Sequence, residues 1–74
     1  MKKNVLLIVN EIRLAKGLSE FSELKPTYTL RDDLGFSSFD LAELTVKIED
    51  VFDVDIFKDG LINTVSEIYE KLER

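Results

Sequence analysis

A chain of 74 residues with neither cysteine nor histidine must hold itself folded through non-covalent contacts alone. Disulfides, thiolate zinc sites and imidazole ligands, the usual staples of very small domains, are all excluded. The same absence removes a cysteine nucleophile, the commonest general base and every Ser-His-Asp arrangement. At this size a fold buries only about 60% of the surface its unfolded chain exposes, so the core is thin. There is room for one domain, residues 1–74, and not for two. An apolar content of 45% marks a folded domain rather than a disordered one. Any chemistry is expected on a surface or with a partner, and the chain is not expected to be an enzyme.

The periodicity is helical. Asn4 to Lys16 carries apolar residues at 5, 8, 9, 12 and 15. Gly17 suits the left-handed position that ends a helix, with Leu18 placed to fold back. Pro26 makes a helix through the next stretch costly, so residues 18–36 are predicted to form a long loop. Leu24, Tyr28 and Leu30 are the residues that can pin it to the core. Ser37 with Asp40 gives a capping box, and Phe36 with Leu41 occupies the staple positions. Leu41, Leu44, Ile48, Val51 and Phe52 then recur at helical spacing, ending near Phe52 or Asp53. A short, weak third helix is expected around Phe57–Ile62, with Gly60 inside it. Thr64 and Glu67 form a second capping box ahead of Val65, Ile68, Tyr69 and Leu72. The predicted fold is all-α: a small four-helix bundle with a long loop between helices 1 and 2 and a short third helix.

Charge is unevenly placed. Residues 1–30 carry a net +2, residues 31–60 a net −6 and residues 61–74 a net −1. An acidic middle repels nucleic acid and anionic membranes, so neither is an expected partner. It attracts proteins with basic patches, or it serves only as a solvated face. No apolar run reaches the ~20 residues a membrane helix needs. Lys2, Lys3 and the run Val5–Val9 are too short for a signal segment and lack a small-residue cleavage site. The expectation is a cytoplasmic monomer.

Conventional sites fail in turn. Gly17, Gly35 and Gly60 are isolated, so there is no phosphate loop. Asp53, Asp55 and Asp59-Gly60 hint at a calcium loop, but Phe57 and Lys58 stand where a ligand and the glycine turn are needed, so no metal is expected. What remains is Asp32-Asp33-Leu34-Gly35-Phe36-Ser37-Ser38-Phe39-Asp40-Leu41-Ala42-Glu43-Leu44. Two serines open a helix, where free backbone N–H groups and a partial positive charge favour a phosphate ester. Ser37 is the cap. Ser38, at the first helical position, points its hydroxyl outward and is the better candidate for modification. Both serines are also ordinary helix-start residues.

This segment resembles the acyl carrier proteins, whose signature is Asp-Leu-Gly-x-Asp-Ser-Leu-Asp followed by Glu-Leu and an acidic pair before Phe. Here the run is Asp33-Leu34-Gly35-Phe36-Ser37-Ser38-Phe39-Asp40, then Glu43-Leu44, then Glu49-Asp50-Val51-Phe52. The similarity continues through Asp53-Val54-Asp55-Ile56 and Asn63-Thr64-Val65. The resemblance implies a four-helix bundle and a 4′-phosphopantetheine arm, covalently attached at Ser38, that carries acyl groups as thioesters. It implies partners too: a phosphopantetheinyl transferase and acyl-processing enzymes of fatty-acid or polyketide-type synthesis. Docking would use Asp40, Glu43, Glu49 and Asp50 along the second helix, with Lys47 interrupting the run. Leu44, Ile48, Phe52, Ile56, Ile62, Val65, Ile68 and Leu72 would form the inward stripe that shelters cargo.

Two positions depart from the signature. Ser37 replaces the aspartate before the modified serine, and Phe39 replaces the leucine after it. The first change keeps a helix cap and removes one negative charge. The segment 57–62 also looks shorter than in typical members. These departures point to a divergent member serving a dedicated pathway. An aminoacyl carrier is a near alternative. A small acidic inhibitor or immunity-type module, binding a basic enzyme without any prosthetic arm, is an alternative from another class.

Overall fold

The computed structural model describes residues 1–73, folded as α1 (Lys2–Ala15), α2 (Ser38–Phe52) and α3 (Val65–Leu72). One buried cluster joins them. Val5, Val9 and Ile12 of α1 meet Leu44 and Ile48 of α2 and Val65 and Ile68 of α3. Each of these is at most 1% exposed, as the helical spacing of the sequence predicts.

α1 stops where the sequence places its end. Gly17 takes φ +82°, Leu18 N–H donates to the Arg13 carbonyl at 2.9 Å and Gly17 N–H donates to that of Leu14 at 3.0 Å. This is the Schellman pairing, and it turns the chain back across α1.

The long loop is real, and it is tied down at both edges. On one side the Asn10 amide, 6% exposed, exchanges two hydrogen bonds with the Phe21 backbone, both 2.9 Å. Arg13, also buried, donates from Nε to the Ser19 carbonyl at 2.9 Å and from Nη1 to that of Leu34 at 2.6 Å. Its guanidinium lies over the Phe21 ring, 4.2 Å from the centroid. On the other side an isolated antiparallel bridge joins Thr29 to Thr64. Leu30 N–H donates to the Asn63 carbonyl at 2.9 Å, and Val65 N–H donates to that of Tyr28 at 3.0 Å. Leu30, Leu34 and Phe36 are buried, while Leu24 and Tyr28 pack on the cluster from its rim. A buried backbone without such partners would cost free energy, so the loop's bonds are what allow it to lie in the core.

The predicted four-helix bundle is corrected to three helices among the described residues. The expected helix at Phe57–Ile62 is a pair of turns. Lys58 N–H donates to the Asp55 carbonyl at 3.3 Å and Gly60 N–H donates to that of Phe57 at 3.1 Å, both spanning three residues. Asp55 Oδ1 accepts from Phe57 N–H at 3.0 Å, an Asx turn that competes with helix. Gly60 at φ +125° then breaks any continuation. Ile56 and Ile62 are both buried, so the segment is anchored at each end with little chain between.

Candidate functional site

Chain geometry fixes the two serines differently. Ser37 is the N-cap of α2, extended at φ −82° and ψ 175°. Its Oγ accepts from Asp40 N–H at 3.2 Å, and Asp40 Oδ2 accepts from Ser37 N–H at 2.8 Å and from Ser37 Oγ at 3.0 Å. The capping box is complete, and the Ser37 hydroxyl is spent within it. Phe36, 2% exposed, anchors the entry to the helix. Ser38 is the first residue of α2 and is exposed. Its hydroxyl takes no part in the cap.

Ser38 Oγ accepts a hydrogen bond from Arg31 Nη2 at 2.7 Å. Arg31 is seven residues upstream and reaches back because residues 29–34 form a tight turn. Asp33 N–H and Leu34 N–H both donate to the Thr29 carbonyl, at 3.2 and 3.0 Å. Asp33 Oδ2 closes the turn by accepting from Thr29 N–H at 2.7 Å. Beside Ser38 runs a mainly apolar groove of about 160 Å³ lined by Arg31, Leu41, Ala42, Phe57 and Leu61. Arg31, Leu41 and Leu61 also line a second hollow of about 300 Å³ over Leu30 and Ile62. A solvent-facing hydroxyl, a guanidinium on its oxygen and an apolar channel alongside fit a phosphate ester with a long organic tail.

The acids named from the sequence do not form one face. Asp40 is 5% exposed and turned inward, where it also pairs with Lys16. The Lys16 ammonium and the Ser37 backbone hold its carboxyl below the usual carboxylate range. It is a structural acid in this geometry, not an exposed one. Glu43 is half-buried and lies 3.8 Å from Lys47, while Glu49 and Asp50 are exposed. Lys47 bridges α2 to Glu11 of α1, and that carboxylate raises its pKa. Phe39, at 80% exposure, and Val46, at 60%, stand open on the same helix. Of the inward stripe, Leu44, Ile48, Ile56, Ile62, Val65 and Ile68 are buried, and Phe52 and Leu72 lie at the rim.

Sequence reasoning missed Arg31, Lys16 and Leu61. Arg31 and Lys16 act across turns that no periodicity reveals. Leu61 follows the glycine that breaks the expected helix, and it is 86% exposed beside the groove.

Comparison with known proteins gives the family. The family described as "Phosphopantetheine attachment site" matches residues 13–72. The acyl carrier protein of Amoebophilus asiaticus (strain 5a2) is 35% identical over 75 aligned residues, covering 99% of this chain and 88% of the relative. No solved structure matches significantly. No helix among the described residues is long and apolar enough to cross a membrane. With a family match across most of its length and a relative aligned end to end, the chain belongs to the acyl carrier proteins, the family that carries a phosphopantetheine attachment site.

Proposed function

We propose that Ser38 is the attachment serine and that the protein carries acyl groups between enzymes of fatty-acid or polyketide-type synthesis. The observation that carries this reading is the division of labour at the start of α2. Ser37 is committed to the cap, whereas Ser38 presents an exposed hydroxyl beside a groove. In the modification, Ser38 Oγ attacks the pyrophosphate of coenzyme A. A new O–P bond forms, the P–O bond to adenosine 3′,5′-bisphosphate breaks, and the hydroxyl proton passes to a base of the transferase. Once bound, the arm supplies the thiol that carries an acyl group as a thioester.

The chain's own residues supply the rest. Glu43, Glu49 and Asp50 offer negative charge, and Phe39 and Val46 offer apolar contact on the same helix. Partners with basic patches would meet the acids, in encounters that are fast, weak and salt-sensitive. Asp40 is left out of this docking set because its carboxylate is occupied. The protein is expected to act as a monomer in the cytoplasm.

The test is intact mass before and after incubation with coenzyme A and a broad-specificity phosphopantetheinyl transferase. Wild type and Ser37→Ala should each gain one phosphopantetheine group, and Ser38→Ala should gain none. A gain that survives Ser38→Ala would overturn the assignment.

A further inference from the structure

We propose that Arg31 binds the phosphate at the root of the arm and so fixes the direction in which the arm leaves the protein. This rests on Ser38 being the attachment serine.

Three observations converge on Arg31. Its Nη2 is already 2.7 Å from Ser38 Oγ, the atom that would become the ester oxygen. A phosphorus on that oxygen brings its two free oxygens one bond further out, within the fork of N–H groups a guanidinium presents. Second, Arg31 has no ion-pair partner among the described residues, although it sits in the most acidic third of the chain. The carboxylate two residues on, Asp33, is held by Thr29, and Asp40 is held by Ser37 and Lys16. The cation on α2, Lys47, is engaged by Glu11 and Glu43. Arg31 is therefore a charge without a carboxylate, turned to a hydroxyl. Third, it lines the groove beside Ser38 and also the hollow over Leu30 and Ile62, so a phosphate held there directs the arm's first carbons toward Leu41 and Leu61, which line both.

Charge-assisted pairing to a phosphate is stronger than the neutral hydrogen bond it replaces. It would also offset like-charge repulsion, since a phosphodiester adds a negative group to an already acidic segment. The partner chemistry is thus a phosphodiester monoanion followed by a slim amide-linked chain. In the apo protein the same contact orients the Ser38 oxygen and leaves its proton free for removal.

The experiment uses holo protein made from wild type, Arg31→Gln and Arg31→Lys, with Ser38→Ala as the control for attachment. Arg31 is exposed, so the variants should fold, as checked by circular dichroism. Phosphorus-31 NMR is recorded from low salt to about 1 M, where the Debye length falls to about 3 Å. The wild-type resonance should move with salt, Arg31→Gln should sit at a different shift and stay flat, and Arg31→Lys should fall between. Cross-peaks from the arm to the Leu41 and Leu61 methyls should be lost in Arg31→Gln. Superimposable phosphorus shifts and salt responses in wild type and Arg31→Gln, with both fully modified on Ser38, would overturn the role of Arg31 alone. An arm that fails to appear on Ser38 in wild type would overturn both readings together.

Discussion

Replacing Asp40 with alanine removes a cap, a buried hydrogen-bond acceptor and an ion pair in one step. Asp40 Oδ2 accepts from the Ser37 backbone at 2.8 Å and from its hydroxyl at 3.0 Å, and it pairs with Lys16. Loss of a helix-capping partner costs about 1 kcal/mol. The Lys16 pair is only partly sheltered, with the lysine side chain 32% exposed, so it adds about 0.5–1 kcal/mol. The expected deficit is about 2 kcal/mol, which for a domain of this size lowers Tm by roughly 8–16 °C. Asp40→Asn keeps the shape and loses the charge, so it should cost about half as much. The pH dependence gives a second check. The folded carboxyl titrates below its ordinary value of 3.8, so its stabilisation is complete above that value. It is lost as pH falls through the depressed folded value, and the gap between wild type and Asp40→Asn should close there. Urea denaturation at pH 7 and at steps downward through the acid range measures both. A cost under about 0.5 kcal/mol at pH 7, with weakened binding to partner enzymes, would refute the structural role and return Asp40 to the docking surface.

Three further outcomes are expected. Asp53 ends α2 in the left-handed region at φ 58°, so Asp53→Gly should raise stability by about 0.5–1 kcal/mol in urea melts. Ile56 is fully buried and Leu61 is 86% exposed, so in urea melts Ile56→Ala should cost about 2–5 kcal/mol while Leu61→Ala changes stability by less than about 0.5 kcal/mol. The coupling between Lys47 and Glu11, read from a double-mutant cycle, should fade in 1 M salt at about a 3 Å Debye length. Because that carboxylate raises the Lys47 pKa, the coupling should be complete below the lysine's ordinary value of 10.5 and be lost as pH climbs through the raised one.

The helices were legible because their signals are local. Ser37 with Asp40 and Thr64 with Glu67 announce two starts, Gly17 announces an end, and apolar spacing sets the buried face. The segment 57–62 misled because its apolar residues suit a helix while Asp55 and Gly60 favour turns. Only the Asx bond and the positive φ decide between them. Ser38 could be singled out from its place after the cap. Arg31 could not, since its contact depends on how Thr29 and Asp33 fold the turn between them. Asp40 was grouped with Glu43 by helical spacing. Spacing does not show that Lys16, from another helix, already claims the carboxylate.

The bridge between Thr29 and Thr64 has a consequence for the order of assembly. Residues 28–30 hold their shape through bonds to Asn63 and Val65, more than thirty positions later in the chain. Pairing across so long a stretch carries a loop-closure cost and needs residues 63–65 in place. A ribosome that has not yet released residue 65 would therefore expose Ser38 without its finished surroundings. The start of the last helix thus acts as the latch on a turn near the middle of the chain.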